Sequence, residues 1–499
     1  ARRTIGYITE DTLANIVGIE GSFNSYLAGK DGMKVQQRLT GGAWIDVDNL
    51  ETVHARPGYN VVTTIDLDLQ DATENALYKQ LVKHKAHHGC AVVMEVKTGD
   101  IKAIANLEIG SDGRYHETYN YAVGESTEPG STFKLMSMIA ALEDGVIDLH
   151  DTINTGDGTV KYYDKVIRDH EEKGLGKITA REVFEHSSNV GTAKIVYESY
   201  KDNPRRYVDR LYSMQLNKPL GLQIKGEGKP VIRAPGDKLW SGISLPMMSH
   251  GYEVQMTPLQ ILTFYNAVAN GGKMVKPRFV TEVRDGNRLV KSFGTEVITN
   301  AICSRSTIRK AQSLLEGVVE SGTAKNLKNS NYKIAGKTGT AQIANLKHGY
   351  RSGSRISYQA SFVGYFPADD PLYSCIVVVN APSNWVYYGN VVSGPVFKEI
   401  ADKVYAGNFY RELQALNPDA EEKVTLREAS HEVETKDLTL AEGVMPNVVG
   451  MGLRDAMYML ENSGLRVNYS GRGKVVRQSP RPGVKISRGA TVAIELRMK

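Results

Sequence analysis

Two pairs of apolar segments, widely separated along the chain, constrain its fold more than any other feature. Residues 91–96 and 101–105 flank Lys97-Thr98-Gly99-Asp100 and read as a β-hairpin with its glycine in the turn. Residues 360–366 and 373–379 read as a second pair of strands, followed by a helical segment at 396–405. Between the pairs the apolar spacing is helical, and two helix starts carry a capping box. One is Thr179-Ala180-Arg181-Glu182; the other is Thr257-Pro258-Leu259-Gln260, with proline at the first helical position. Ahead of the first hairpin, 61–65 reads as a strand, and Asp66-Leu67-Asp68 leads into a helix with Leu69, Ala72, Ala76, Leu77 and Leu81 on its apolar face. Strands at both ends with helices between imply an α+β domain, an antiparallel sheet packed by a helical subdomain.

Charge marks a second domain. Residues 445–499 hold ten Lys/Arg against three Asp/Glu, whereas 408–443 hold four against nine. An acidic, core-poor stretch before a basic one reads as a linker before a separate small module. Within that module the pattern gives a short strand, a helix at 453–463, Gly464, and two strands around Ser479-Pro480-Arg481-Pro482-Gly483. The expected boundaries are 1–57 for a partial N-terminal domain, 58–407 for the main domain, 408–443 for the linker and 444–499 for the module. With 499 residues, 41% hydrophobic and 23% charged, the chain has ordinary globular composition. No run approaches the roughly 18–20 apolar residues of a membrane span. Either the protein is soluble or an anchor precedes Ala1. Three scattered cysteines imply no disulfide framework, and Cys375 lies in an apolar run as a small buried hydrophobe. The basic module could attract polyanions, but no nucleic-acid motif accompanies it.

The chemistry concentrates in three places. Ser131-Thr132-Phe133-Lys134 follows Glu128-Pro129-Gly130 and opens an apolar helix. A serine there sits in the field of a helix N-terminus, and a lysine three residues on shares its face. Desolvation can depress that lysine's pKa until it serves as a base. A helix N-cap explains Ser131 as well. A second copy, Ser330-Asn331-Tyr332-Lys333, has no apolar helix behind it and is set aside. Ser187-Ser188-Asn189 ends the first capped helix, where a hydroxyl and a carboxamide could relay a proton and hold an amide. Ser22-Phe23-Asn24 competes with it from outside the main domain. Lys337-Thr338-Gly339-Thr340 lies in an extended run that Gly339 interrupts, as happens where a ligand nears the backbone. Lys97-Thr98-Gly99 is explained by its hairpin turn. His84, His87, His88 and Cys90 match no strong zinc spacing, and a polar helix end entering a strand accounts for them. His116, His170 and His431 each precede a glutamate without the second histidine of a zinc protease.

Ser-x-x-Lys, Ser-x-Asn and Lys-Thr-Gly in this order are the signature of penicillin-binding proteins and serine β-lactamases. By that resemblance, and not by spacing alone, the chain is identified as similar to a class B penicillin-binding protein of the division or sporulation branch. Gly18-Ile19-Glu20 with Leu27-Ala28-Gly29-Lys30-Asp31-Gly32 resembles that class's pedestal. Thr64-Ile65-Asp66 with Leu69-Gln70 resembles the start of its transpeptidase domain. Met445-Pro446-Asn447-Val448-Val449-Gly450 through Gln478-Ser479-Pro480 and Gly483 resembles a PASTA module. The pedestal is short at its N-terminal side, so the chain reads as a fragment without its anchor. Serine at the middle of Ser187-Ser188-Asn189 is expected to face away from substrate.

The resemblance implies peptidoglycan D,D-transpeptidation at the extracytoplasmic face of the bacterial plasma membrane, without metal or organic cofactor. Ser131 would be the nucleophile, Lys134 its base and Ser187 a proton relay. Asn189 would bind an acyl-side amide. Lys337 and Thr338 would hold the substrate carboxylate, beside Gly339, and the N–H groups of Ser131 and Thr340 would hold the oxyanion. Stem peptides, lipid-linked precursor, β-lactams and a membrane glycosyltransferase of the division machinery are the implied partners, and nucleic acid is not. A β-lactamase or D,D-carboxypeptidase would use water as acceptor, and a β-lactam sensor would carry a signalling segment.

Overall fold

The computed structural model describes residues 1–6, 17–34, 36–46, 53–171, 173–343, 357–383, 386–416, 444–471, 473–487 and 489–497, and in it the two predicted strand pairs meet in one sheet. Helix α1 (Leu67–His84) starts where Asp66 accepts a hydrogen bond from the Leu69 N–H at 3.0 Å, and it ends on left-handed Lys85. Strands β1 (His88–Glu95) and β2 (Ile101–Ile109) follow, joined by a turn with Gly99 at φ 80°, and then the short β3 (Tyr115–His116). A 3₁₀ turn, Gly130–Phe133, runs straight into α2 (Lys134–Glu143). The intervening helices include α3 (Ala180–Glu185), α4 (Asn189–Tyr200), α5 (Pro258–Ala269) and α6 (Arg305–Glu320). The chain returns to the sheet as β4 (Ala335–Gln342), β5 (Tyr358–Phe366) and β6 (Tyr373–Asn380), then closes with α7 (Gly389–Val392) and α8 (Gly394–Leu416).

The strand order is β4-β5-β6-β1-β2-β3, antiparallel at every step. Phe362 and Phe366 of β5 meet the Phe397 ring of α8, with centroids 4.8 and 5.4 Å apart. Ser374, opposite Tyr365 in the register, donates from Oγ to Asn266 of α5 at 2.7 Å. Alternate residues point to opposite faces, so helices cover both sides of the sheet. That double cover explains why the central strands β1 and β6 read as unbroken apolar runs. It also leaves β4 as an edge strand, with one row of backbone groups unused by the sheet.

Both predicted capping boxes form, at Thr179 with Glu182 and at Thr257 with Gln260. The last helix is longer than its apolar pattern suggested. Instead of 396–405 it runs Gly394–Leu416, past the point where charge placed the linker. The rest of the expected linker, 417–443, lies outside the described residues, as does His431.

Contacts divide the chain into two units, Ala1–Pro418 and Asp419–Lys499. In the second, α9 (Leu453–Asn462) packs on β7 (Arg466–Gly471), β8 (Lys474–Ser479) and β9 (Thr491–Arg497), in the order β7-β9-β8. Its own core holds Met445, Val448, Ala456, Leu460, Leu465, Val475, Val492, Ile494 and Leu496. The short strand expected before the helix is replaced by two isolated bridges, Val444 to Lys485 and Gly452 to Lys474, and a third strand forms after it. Gly464, at φ 73°, turns the chain out of α9 into that strand. The buried Gln478 amide ties the segment before α9 down by bonding Pro446 O and the Val448 N–H, both at 2.8 Å.

Candidate active site

Gly130 decides where Ser131 stands. Its φ of 55° suits glycine, and a Cβ there would lie 2.8 Å from the Cβ of Ala341 on β4. The turn that carries Ser131 therefore lies against the edge strand. The 3₁₀ turn starts at Gly130, with Pro129 at its N-cap, so Ser131 lies inside the turn and does not cap it. The alternative reading of Ser131 as a helix N-cap does not hold, because the turn begins one residue before it. The Ser131 hydroxyl instead lines a cleft of about 490 Å³.

Lys134 opens α2 and is fully buried. Its Nζ donates to Ser187 O at 2.6 Å, Asn189 Oδ1 at 2.7 Å and Ser187 Oγ at 3.2 Å. Among the described residues no hydrogen bond joins it to the Ser131 hydroxyl, the contact expected from the shared helical face. The ammonium is drawn instead to the acceptors at the end of α3 and the start of α4, Ser187 O and Asn189 Oδ1. Burial pushes the Lys134 pKa down to about 7, against the opposing pull of Asp169.

Ser187 leaves α3 in left-handed backbone, at φ 57°. The Lys337 Nζ reaches the same Oγ at 2.8 Å and Thr338 O at 3.0 Å. Lys337 is fully buried, its ammonium 5.7 Å from the centre of the Phe184 ring. Burial first, and the Lys134 charge second, hold its pKa well below the ordinary lysine value. Two lysines thus converge on one hydroxyl.

Ser188 is structural. Its Oγ accepts from the Gly191 N–H at 2.8 Å, capping α4, and donates to Asp169 Oδ2 at 2.8 Å. Asp169 also accepts the Val190 N–H at 2.9 Å. Asn189 donates through Nδ2 to Arg168 O at 2.9 Å, accepts from Lys134 through Oδ1, and lines the cleft. On β4, Thr338 and Thr340 line the cleft from one face of the strand. Gly339 is also required by packing: a Cβ there would lie 2.2 Å from Ser361 Oγ and 2.9 Å from Thr132 Cγ2.

Asp169, Thr323, Tyr252, Tyr358 and Tyr388 also belong to the site and were not singled out from sequence. Thr323 shares a 2.8 Å hydrogen bond with Thr338 between their hydroxyls. Ser321-Gly322-Thr323 after an amphipathic helix was a legible polar turn; nothing local marked the tyrosines or Asp169.

The set-aside motifs lie elsewhere. Lys333 pairs with Asp369 at 3.2 Å on the surface, and Lys97 is exposed at its hairpin. Phe23 packs edge-on against Phe293. His87 and His88 share a 2.8 Å contact between their Nδ1 atoms, and His88 Nε2 meets Glu125 at 3.1 Å. Among the described residues no group of three His, Cys, Asp or Glu could hold a metal ion.

Residues 89–402 match the penicillin binding protein transpeptidase domain, and residues 443–497 match the PASTA domain. The chain is 26% identical to stage V sporulation protein D of Bacillus subtilis, over 96% of this chain and 72% of that protein. It is 28% identical to the peptidoglycan D,D-transpeptidase FtsI of Buchnera aphidicola, over 83% of this chain and 69% of that one. Its fold matches penicillin binding protein 3 of Mycobacterium tuberculosis, solved with aztreonam, at a TM-score of 0.68 and 27% identity, covering 82% and 88% of the two chains.

Proposed function

Because the chain belongs to the penicillin binding protein transpeptidase family, we propose that it cross-links peptidoglycan stem peptides through an acyl-enzyme on Ser131, in septal or spore-wall synthesis. One observation carries the assignment of roles: Lys134 and Lys337 both donate to Ser187 Oγ in the cleft that Ser131 lines.

Two ammonium groups on one hydroxyl repel, and both are desolvated, so the pair favours losing a proton. A substrate carboxylate at Lys337 and Thr338 keeps the proton on Lys337. The field of that cation then favours neutral Lys134, the form that can accept a proton. Binding the correct substrate thereby prepares the base. Lys134 takes the Ser131 proton as Oγ bonds the carbonyl carbon of the penultimate D-Ala. The charge that develops on the carbonyl oxygen faces the N–H groups of Ser131 and Thr340. The carbon–nitrogen bond to the terminal D-Ala breaks, and Ser187 passes the proton from Lys134 to the leaving amine. An amine of a second stem peptide attacks the ester, gives its proton back through Lys134, and frees Ser131. As an edge strand, β4 can hold the donor peptide extended along its open side, and Asn189 binds the acyl-side amide.

A β-lactam presents the same carbonyl, but its amine leaving group stays tethered, so the adduct persists. Peptidoglycan is built outside the plasma membrane, which is where this chemistry belongs. The glycan strands must come from a glycosyl-transfer reaction on lipid-linked precursor, making a membrane glycosyltransferase the expected partner. No helix of the described residues is long and apolar enough to cross a membrane.

Intact-mass measurement over hours with benzylpenicillin tests this reading. Wild type and Ser330→Ala should gain one stable adduct, mapped to the peptide holding Ser131, and Ser131→Ala should gain none. Labelling that survives Ser131→Ala overturns the nucleophile, and rapid turnover of the adduct would make the protein a hydrolase.

A further inference from the structure

We infer that Glu185 is a positioning residue that sets the place of Ser187 relative to β4. The inference rests on the transpeptidase reading and extends it to a residue that touches no substrate. Glu185 is the last residue of α3, two before Ser187, and it is buried although it is a carboxylate. Its Oε2 accepts from Ser321 Oγ at 2.7 Å, while the Arg181 guanidinium stands at 3.5 Å. Its backbone carbonyl accepts the Thr323 N–H at 3.1 Å.

The carbonyl bond closes a ring, which the carboxylate braces from outside through Ser321. Thr323 shares its 2.8 Å hydrogen bond with Thr338. The Thr338 carbonyl accepts from Lys337 Nζ at 3.0 Å, and that ammonium donates to Ser187 Oγ at 2.8 Å. From Ser187 the backbone leads through His186 back to Glu185. The ring joins the end of α3, the chain leaving α6, and β4, which carry the proton relay and the carboxylate site.

The seat is shaped to fit Glu185. A Cβ on Gly317 would stand 2.0 Å from Glu185 Oε1 and 2.6 Å from its Cδ, and one on Gly322 would stand 2.3 Å from its carbonyl oxygen. Two glycines on or just after α6 thus make room for one side chain and its backbone. Ser187 adopts left-handed backbone that serine does not favour, at φ 57°. Such a turn persists only where its surroundings hold it, and Glu185, two residues before it, is the residue tied to the chain that leaves α6.

The test separates noncovalent binding from the acylation rate constant, using a fluorescent penicillin on the full chain. Glu185→Ala should lower the acylation rate constant by about 10- to 100-fold, the scale set by roughly ångström misplacement of a reacting group. Noncovalent affinity should change little, and the midpoint of the pH profile should move away from that of wild type, because the Lys134 acceptors shift with Ser187. Glu185→Gln keeps the acceptor for Ser321 and should restore most of the rate. Should Glu185→Ala fail to fold, Ser321→Ala removes the same bond from the solvent side and should still slow acylation. Wild-type rates in both Glu185→Ala and Ser321→Ala overturn the inference. So does a Glu185→Ala loss confined to noncovalent affinity with the pH profile unmoved. If wild type itself forms no adduct on Ser131, the transpeptidase reading fails instead.

Discussion

The protons shared around Ser187 set the pH at which Ser131 can react. Burial holds the Lys134 pKa at about 7, below the lysine norm, so the base is protonated below that pH and free above it. The second-order rate constant for acylation of wild type, which reports the free protein, should therefore rise with pH through about 7 and then level off. Lys134→Ala should lose that limb together with most of the rate, its melting temperature unchanged. His250, buried nearby, does not produce the limb, because burial and the Lys134 charge push it down to about 3. Stopped-flow acylation across neutrality checks this, and a flat wild-type profile would place the base elsewhere. At this scale the sequence showed which side chains could do chemistry, since hydroxyl, amine and carboxamide carry their reactivity in their own atoms. It did not show that Lys134 and Lys337 converge on Ser187, because that contact joins α2, α3 and β4 through side chains far apart in sequence.

Among the elements, the contact of α7 with β4 shapes the cleft wall, and it depends on Gly389. A Cβ there would meet Ser361 O at 2.2 Å and Gly339 O at 2.6 Å, both backbone atoms that cannot swing aside. Gly389→Ala should destabilise the domain by about 1–3 kcal/mol, as overpacking does, and slow acylation by displacing the strand that carries Thr340. Gly407→Ala is the counterpart. It lies inside α8 with nothing within 4 Å of an added Cβ, so it should stabilise by up to about 1 kcal/mol and leave acylation alone. Thermal melting with acylation rates distinguishes the two, and equal melting shifts would refute the contrast. Capping boxes and hairpin turns were legible because both are completed within a few residues. The fit of Gly339 against Ser361 and Thr132 was not, since a missing side chain reveals nothing about which distant atoms occupy its place.

Across the whole molecule, the catalytic groups lie between residues 131 and 340 of the first unit, and the second unit has a core of its own. Removing residues 444–499 should leave β-lactam acylation of Ser131 unchanged, measured as the second-order rate constant with the same fluorescent penicillin. A loss beyond about tenfold, well over 1 kcal/mol in barrier, would mean that the module supports the site. The sequence by itself determined the strand pairs, the main helices, the basic module and the three reactive motifs in order. These follow from local periodicity, charge and side-chain chemistry, which a chain displays without folding. The tertiary structure decided what those motifs do together. It set Ser131 inside a 3₁₀ turn and turned Lys134 toward Ser187. It also assigned Ser188 to Asp169 and tied Glu185 to Thr338 through Thr323. Those outcomes depend on desolvation and close packing between elements distant in sequence, and neither exists until the sheet and helices have assembled.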